Sequence, residues 1–329
     1  MISVRHLTKR YGKHTAVSDL SFEIEKGQIY GFLGPNGAGK STTMNIMTGC
    51  LSATSGDVTI GGYDIFEQPM EAKRLIGYLP EQPPVYVDRT PREYLTFVAR
   101  AKGIPAGEIT MQVEKAMSVT NITDVADRLI KNLSKGYRQR VGIAQAILGN
   151  PEIIILDEPT VGLDPRQIIE IRDLIRRLGE DHTVILSSHI LSEVQAVCQT
   201  ILIISKGKLV ACDTPENLEK RFQASINLEL TLEASLEQLE VIQTALAAVP
   251  DITDLQVKML DENRMRLKLE TAPEHETEFL KSILFCFCDL RIPVLQMVTS
   301  RASLEDVFME LTDGNAPSTK PDNEQEVQS

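Results

Sequence analysis

Apolar positions along the chain follow two rhythms. QIYGFLG, EIIILDEPT, TVILSS and TILIISKG are short runs, rich in β-branched residues and bounded by Gly, Pro or polar positions. Runs apolar at nearly every position suit strands buried on both faces, as in a parallel sheet covered by helices. Between them, Ile168, Ile171, Leu174, Ile175 and Leu178 form one stripe at helical spacing after Pro165. Thr90-Pro91-Arg92-Glu93 reads as an N-cap, a first-turn proline and a capping-box glutamate that open a helix running toward Arg100. The pattern from about 86 to 150 is mostly helical and predicts an insertion on an α/β core.

Near Phe222 the rhythm changes. INLELTL alternates as a strand, residues Leu236 to Leu246 form a helical stripe, and LQVKML and RMRLKLE are strands separated by Asp-Glu-Asn. A helix from Glu276 to Cys286 and a strand at PVLQMV follow, so the order β-α-β-β-α-β predicts a small ferredoxin-like or similar α+β sandwich. SLEDVFMELT reads as a capped closing helix, and DGNAPSTKPDNEQEVQS as a disordered tail. The expected domains are 1–222, 223–312 and a tail at 313–329. With 329 residues, two folded units are the natural outcome, because a single core stops growing before that size.

Charge separates the same segments. The net charge is −12, yet residues 1–223 hold 26 acidic and 26 basic side chains, residues 224–312 hold 16 and 7, and the tail 4 and 1. The first unit is neutral and the acidity lies in the C-terminal third, so no basic footprint for nucleic acid is present. No apolar run reaches the roughly 18 residues needed to cross a bilayer, and MISVRHLTKRYGK lacks the apolar core of a secretion signal, which places the expected chain in the cytoplasm. Five cysteines without paired metal spacing suit a reducing compartment, and Cys286 and Cys288 read as buried filler, sharing one face if that segment is extended.

The strongest chemistry lies in GPNGAGKSTT, directly after an apolar run. Gly34, Gly39, Lys40 and Ser41 satisfy G-x-x-x-x-G-K-[ST], with Pro35, Asn36, Gly37 and Ala38 between the glycines and Thr42 following. Glycines let main-chain N–H groups wrap the α- and β-phosphates of a nucleotide, and the helix that follows turns its positive end toward them. Lys40 supplies charge to the outer phosphates, and the Ser41 hydroxyl can reach Mg2+. In IIILDEPT, Asp157 ends a buried strand where a carboxylate can hold Mg2+ through its water shell, and Glu158 is placed to polarise a water for attack on the γ-phosphate. An N-cap is the plain alternative for Asp157, but it does not account for two acids followed by Pro159, Thr160 and an LDP turn.

With these motifs in this order, residues 1–215 resemble the ATP-binding subunit of an ABC transporter. The resemblance implies a P-loop ATPase core with a mixed sheet and a helical subdomain, plus the small α+β C-terminal domain. It implies ATP and Mg2+ as cofactors. Tyr11 in KRYGKHTAV matches the residue stacked on adenine, Gln82 in GYLPEQPP the glutamine of the Mg2+ shell, Asp164 in Leu163-Asp164-Pro165 the turn crossing between subunits, and His189 in LSSHI the histidine on the γ-phosphate. Taken singly, Tyr11, Gln82 and His189 are as readily a half-buried aromatic, a solvated amide and a structural histidine.

LSKGYRQR is similar to the family signature, in which Ser134 and Gly136 cap the γ-phosphate of ATP held by the other subunit. Lys135 stands where glycine is usual and Tyr137 where glutamine is usual; Lys135 either adds attraction for the triphosphate or points to solvent. The resemblance further implies a homodimer closing around two ATP molecules on the cytoplasmic face of the membrane. A separate multi-pass permease would be moved through the Gln82 loop and helices near 85–120, and the signature variant and SLEDVFMELT are similar to those of exporters. The C-terminal domain reads as regulatory or dimer-stabilising. The alternative reading is a soluble ABC-type ATPase acting on ribosomes or DNA. Such chains carry paired cassettes, a long coiled coil or zinc-type cysteine pairs, which this sequence lacks.

Overall fold

The computed structural model describes residues 1–222, 226–250, 252, 254–271, 276–301 and 308. It divides the chain into two compact units, Met1–Pro215 and Glu216–Glu310. The closing helix expected at SLEDVFMELT, apart from Phe308, and the tail 313–329 lie outside the described residues.

In the first unit, β1 (Ile2–Tyr11) and β2 (His14–Ile24) pair antiparallel, and β3 (Ile29–Leu33) runs into α1 (Lys40–Met47). Next come β4 (Ser55–Ile60), β5 (Tyr63–Asp64), α2 (Pro69–Arg74) and β6 (Ile76–Leu79). The helices α3 (Pro91–Ala101), α4 (Ile109–Val119) and α5 (Lys135–Ile147) follow. The unit ends with β7 (Ile153–Leu156), α6 (Pro165–Asp181), β8 (Thr183–Ser188), α7 (Leu191–Gln195), β9 (Thr200–Ser205) and β10 (Lys208–Asp213). One sheet has the order β2-β1-β4-β5; the other has the order β10-β9-β3-β8-β7-β6. All neighbours in the second are parallel except β10 and β9, so the sheet is mixed.

The four apolar runs are the strands β3, β7, β8 and β9. Every residue of β3, β7 and β8 is buried, which is the condition their unbroken apolar sequence anticipates. Each buried Ile or Leu adds about 1.5–3 kcal/mol of transfer free energy, enough to hold the strand ends, and the loops leaving them, at fixed positions.

The helical segment has its own core, built from Leu95, Val113, Met117, Ile130 and Val141 among others. Thr90 accepts from the Glu93 N–H at 3.2 Å while the Thr90 N–H donates to Glu93 Oε2 at 3.1 Å, the reciprocal box that starts α3. Helix α5 lies directly on β6: a Cβ at Gly77 would stand 2.1 Å from the Ala146 carbonyl oxygen. Gln145 Nε2 also donates to the Tyr78 carbonyl at 3.2 Å.

The second unit begins in α8 (Pro215–Phe222) and continues with β11 (Ile226–Glu233), α9 (Leu239–Ala247), β12 (Asp254–Met259), β13 (Arg264–Thr271), α10 (Glu276–Asp289) and β14 (Val294–Arg301). The sheet order is β12-β13-β11-β14 with every pair antiparallel, the ferredoxin-like arrangement. Leu228, Leu230 and Leu232 of β11 pack with Ile242, Ile283 and Phe287 beneath the helices. One expectation is corrected here. FCFC is helical, so residues two apart diverge around the axis: Cys286 borders the core, whereas Cys288 is exposed and fills nothing.

Candidate functional site

The loop between β3 and α1 is held tightly enough to fix its backbone. A Cβ at Gly34 would stand 2.3 Å from the Ile204 carbonyl oxygen, and Gly39 adopts φ +104° with the Ala16 carbonyl oxygen 2.6 Å from where a Cβ would be. Neither position accepts a side chain. The loop backbone is fixed where it runs into the first turn of α1, the arrangement that cradles phosphate with main-chain N–H groups and a helix N-terminus.

Lys40 lies beneath this loop with 6% of its side chain exposed. Its Nζ donates to the Gly34 carbonyl at 2.7 Å and the Pro35 carbonyl at 3.3 Å, and stands 3.5 Å from Glu158 Oε1. Glu158 follows β7 with φ +47°, a left-handed backbone costing about 1–3 kcal/mol in a residue with a Cβ. That conformation is supported by the Glu158 N–H donating to Ser187 Oγ at 2.8 Å. Its other oxygen, Oε2, lies 3.0 Å from His189 Nδ1. One carboxylate thus bridges the lysine of the loop and the histidine after β8.

Asp157 is 2% exposed and accepts at Oδ1 from Ser187 at 2.5 Å and from Ser41 at 3.2 Å. Burial raises its pKa above the ordinary carboxylate range, against the opposing pull of the two hydroxyls. A buried carboxylate beside a hydroxyl at a helix start is a hard oxygen pair that fits Mg2+ completed by water and phosphate oxygens. Among the described residues no cluster of three or more His, Cys, Asp or Glu offers an all-protein cage.

A cavity of about 470 Å³ gathers most of the expected site. Asn36, Gly37, Ala38, Gly39, Lys40, Ser41 and Thr42 line it together with Glu158, His189 and Tyr11. Tyr11 is half-exposed with Lys9 Nζ 5.2 Å from its ring centroid, and a planar base can stack on ring surface that Lys9 does not cover. His14, Ala16, Glu81 and Val161 also line the cavity. Gln82 is exposed and does not line it; its neighbour Glu81 does.

Ser134, Gly136 and Asp164 stand outside the cavity lining. Ser134 caps α5, accepting from the Tyr137 N–H at 3.3 Å, and Asp164 caps α6 by accepting from the N–H groups of Arg166 and Gln167, each at 3.0 Å. The two helix starts adjoin: a Cβ at Gly136 would meet the end of the Gln167 side chain at 2.6 Å, and Lys135 Nζ would lie 2.2 Å from a Cβ at Gly162. Lys135 thus reaches the turn after Glu158 in its own chain. Tyr137 donates to Asp124 Oδ2 at 2.8 Å, so its ring braces the helical segment. Ser187, Thr160 and Glu193 also support the site: Thr160 and Ser187 stand inside IIILDEPT and LSSHI without a role of their own there, and Glu193 lies outside both.

The ABC transporter family model matches residues 17–161. A linearmycin-resistance ATP-binding protein of Bacillus subtilis is 33% identical over 95% of this chain and 98% of its own length. A bacitracin-transport ATP-binding protein of Bacillus licheniformis is 34% identical with the same shares of each chain. Among solved structures, an ATP-binding subunit of an ABC transporter superposes with a TM-score of 0.61 at 28% identity, covering 68% of this chain and 93% of that one. A dimeric, post-hydrolysis ATP-binding cassette bound to ADP and Pi gives 0.59 at 25% identity over 65% of this chain and 98% of that one. The chain belongs to the ABC transporter family as an ATP-binding subunit that hydrolyses ATP.

Proposed function

We propose that this chain drives an ABC-type exporter: two copies close head to tail around two Mg2+-ATP, and the closure moves a separate membrane permease. The observation that carries the reading is a half-built site. Adenine-stacking, phosphate-binding and water-activating groups share one cavity, while Ser134 and Gly136, the expected γ-phosphate cap, stand outside its lining. A second copy supplies that cap. The proposed domains are an ABC ATPase domain over 1–222 with its helical subdomain at about 86–150 and an accessory domain over 223–312, a boundary seven residues beyond the division of the compact units at Pro215.

Within one site, the loop N–H groups would bind the α- and β-phosphates and Lys40 the outer ones, Tyr11 would stack on adenine, and Ser41, Asp157 and Gln82 are the residues that would hold Mg2+. Mg2+ held there would supply neutralisation of charge on the phosphate oxygens. Glu158 accepts a proton from the attacking water, and His189, 3.0 Å from Glu158 Oε2, keeps that carboxylate aimed and contacts the γ-phosphate.

The permease reading is supported by full-length relatives with names in resistance to linearmycin and transport of bacitracin, and by a lantibiotic-transport ATP-binding protein of Streptococcus pyogenes, 37% identical over 70% of this chain. No helix among the described residues is long and apolar enough to cross a membrane. Beyond the Gln82 loop, Tyr86 and Phe97 are half-exposed with ring centroids 5.3 Å apart, an aromatic surface suited to a permease segment at the cytoplasmic membrane face.

The test is purification of tagged Glu158→Gln protein from detergent-solubilised cells in Mg2+-ATP, with mass identification of what stays bound. A stoichiometric multi-pass membrane protein is expected. Ribosomal or DNA-repair partners without a membrane protein would overturn the reading in favour of a soluble ATPase.

A further inference from the structure

Two loops bring Glu158 and His189 together, and a third carboxylate joins those loops from behind. Glu193, on the short helix α7, is only 4% exposed. Its Oε2 accepts from the hydroxyl of Thr160, two residues after Glu158, and from the hydroxyl of Ser188, one residue before His189, the latter at 3.1 Å. Both hydroxyl residues are buried. The Ile190 N–H donates to the same Ser188 oxygen at 3.0 Å, so His189 sits inside a turn whose shape depends on where Ser188 points.

A carboxylate taken out of water is costly to keep without a strong set of donors, and one that receives two hydroxyls on a single oxygen fixes both donors in space. We infer that Glu193 is a positioning residue for ATP hydrolysis: it staples the Glu158 loop to the His189 turn and so sets the His189–Glu158 contact. Glu193 itself does not line the nucleotide cavity. The inference rests on the roles proposed above for Glu158 and His189.

The geometry makes two demands. Losing the staple should lower turnover and leave ATP binding intact, because no phosphate-binding group touches Glu193. Misplacement of a catalytic group by about an ångström costs up to ~10²-fold in rate. The effect should also vanish where there is no histidine left to position.

The experiment is steady-state ATP hydrolysis and ATP affinity of the full chain for Glu193→Ala, Glu193→Gln and Thr160→Val, each alone and with His189→Ala, alongside Glu158→Gln. Glu193→Ala is expected to reduce kcat by about 10- to 100-fold with KM and ATP affinity near parental. Glu193→Gln, whose amide oxygen still accepts a hydroxyl, should recover most of the loss, and Glu193→Ala should add little to His189→Ala. If Glu193→Ala does not fold, Thr160→Val must show the same reduced kcat and the same masking by His189→Ala. Parental kcat in the folded variants, or losses that multiply independently with His189→Ala, would overturn the inference while Glu158→Gln remains inactive. An active Glu158→Gln would instead remove the underlying reading.

Discussion

Lys40 Nζ stands 3.5 Å from Glu158 Oε1, with both side chains less than a tenth exposed. The residue assigned to bind the outer phosphates and the residue assigned to activate water therefore neutralise each other. A triphosphate reaching Lys40 competes with that carboxylate.

Replacing the carboxylate removes the competitor together with the base. Glu158→Gln is expected to lose about 10²–10⁴ in kcat while binding ATP at least as tightly as the parent. Lys40→Ala should fail earlier, at ATP binding. Single-turnover hydrolysis and nucleotide titration check both, and a Gln variant that bound ATP more weakly would contradict the competition.

Asp157 yields a pH dependence with a definite sign. Its folded pKa is raised by burial, so the folded state binds the proton more tightly than the unfolded one. The stability from this group is fully present below the unfolded carboxylate pKa and is lost as pH rises through the raised folded value. Above that window the nucleotide-free protein carries the cost of a buried charge. Asp157→Asn should then melt at a temperature no lower than the parent at neutral pH without Mg2+, and should lose Mg2+-dependent hydrolysis. A lower melting temperature in scanning calorimetry would contradict this account of the carboxylate.

The capping box of α3 is a local feature with a local effect. Thr90→Ala removes the acceptor for the Glu93 N–H and should destabilise by about 1 kcal/mol. For a unit of this size that is a fall of about 2–4 °C in melting temperature. ATP affinity should be unchanged, since no cavity residue lies on α3.

The elements and the phosphate loop were legible because each is written in contiguous residues. Unbroken apolar runs such as IIIL give buried strands, Thr90 to Glu93 names a helix start, and GPNGAGKS specifies its own backbone. What escaped was long-range in sequence and short-range in space. Glu193 belongs to no motif of the sequence, and only folding brings Thr160, 33 residues away, to its carboxylate. Lys135 could be placed near phosphate or in solvent by its motif, whereas the adjoining starts of α5 and α6 direct it to Gly162. Cys288 failed for a simpler reason: the helix expected to end at Cys286 runs on to Asp289, and at that point of its turn Cys288 is exposed.

The central claim is that a working ATP site needs Ser134 and Gly136 from a second copy. The measurement that tests it most directly is the solution mass of Glu158→Gln protein with and without ATP, by analytical ultracentrifugation, beside the same chain carrying Ser134→Arg. The account predicts a monomer that becomes a dimer on ATP, and a Ser134→Arg form that binds ATP yet stays monomeric. A chain that remains monomeric at saturating ATP, or a dimer indifferent to Ser134→Arg, would contradict it.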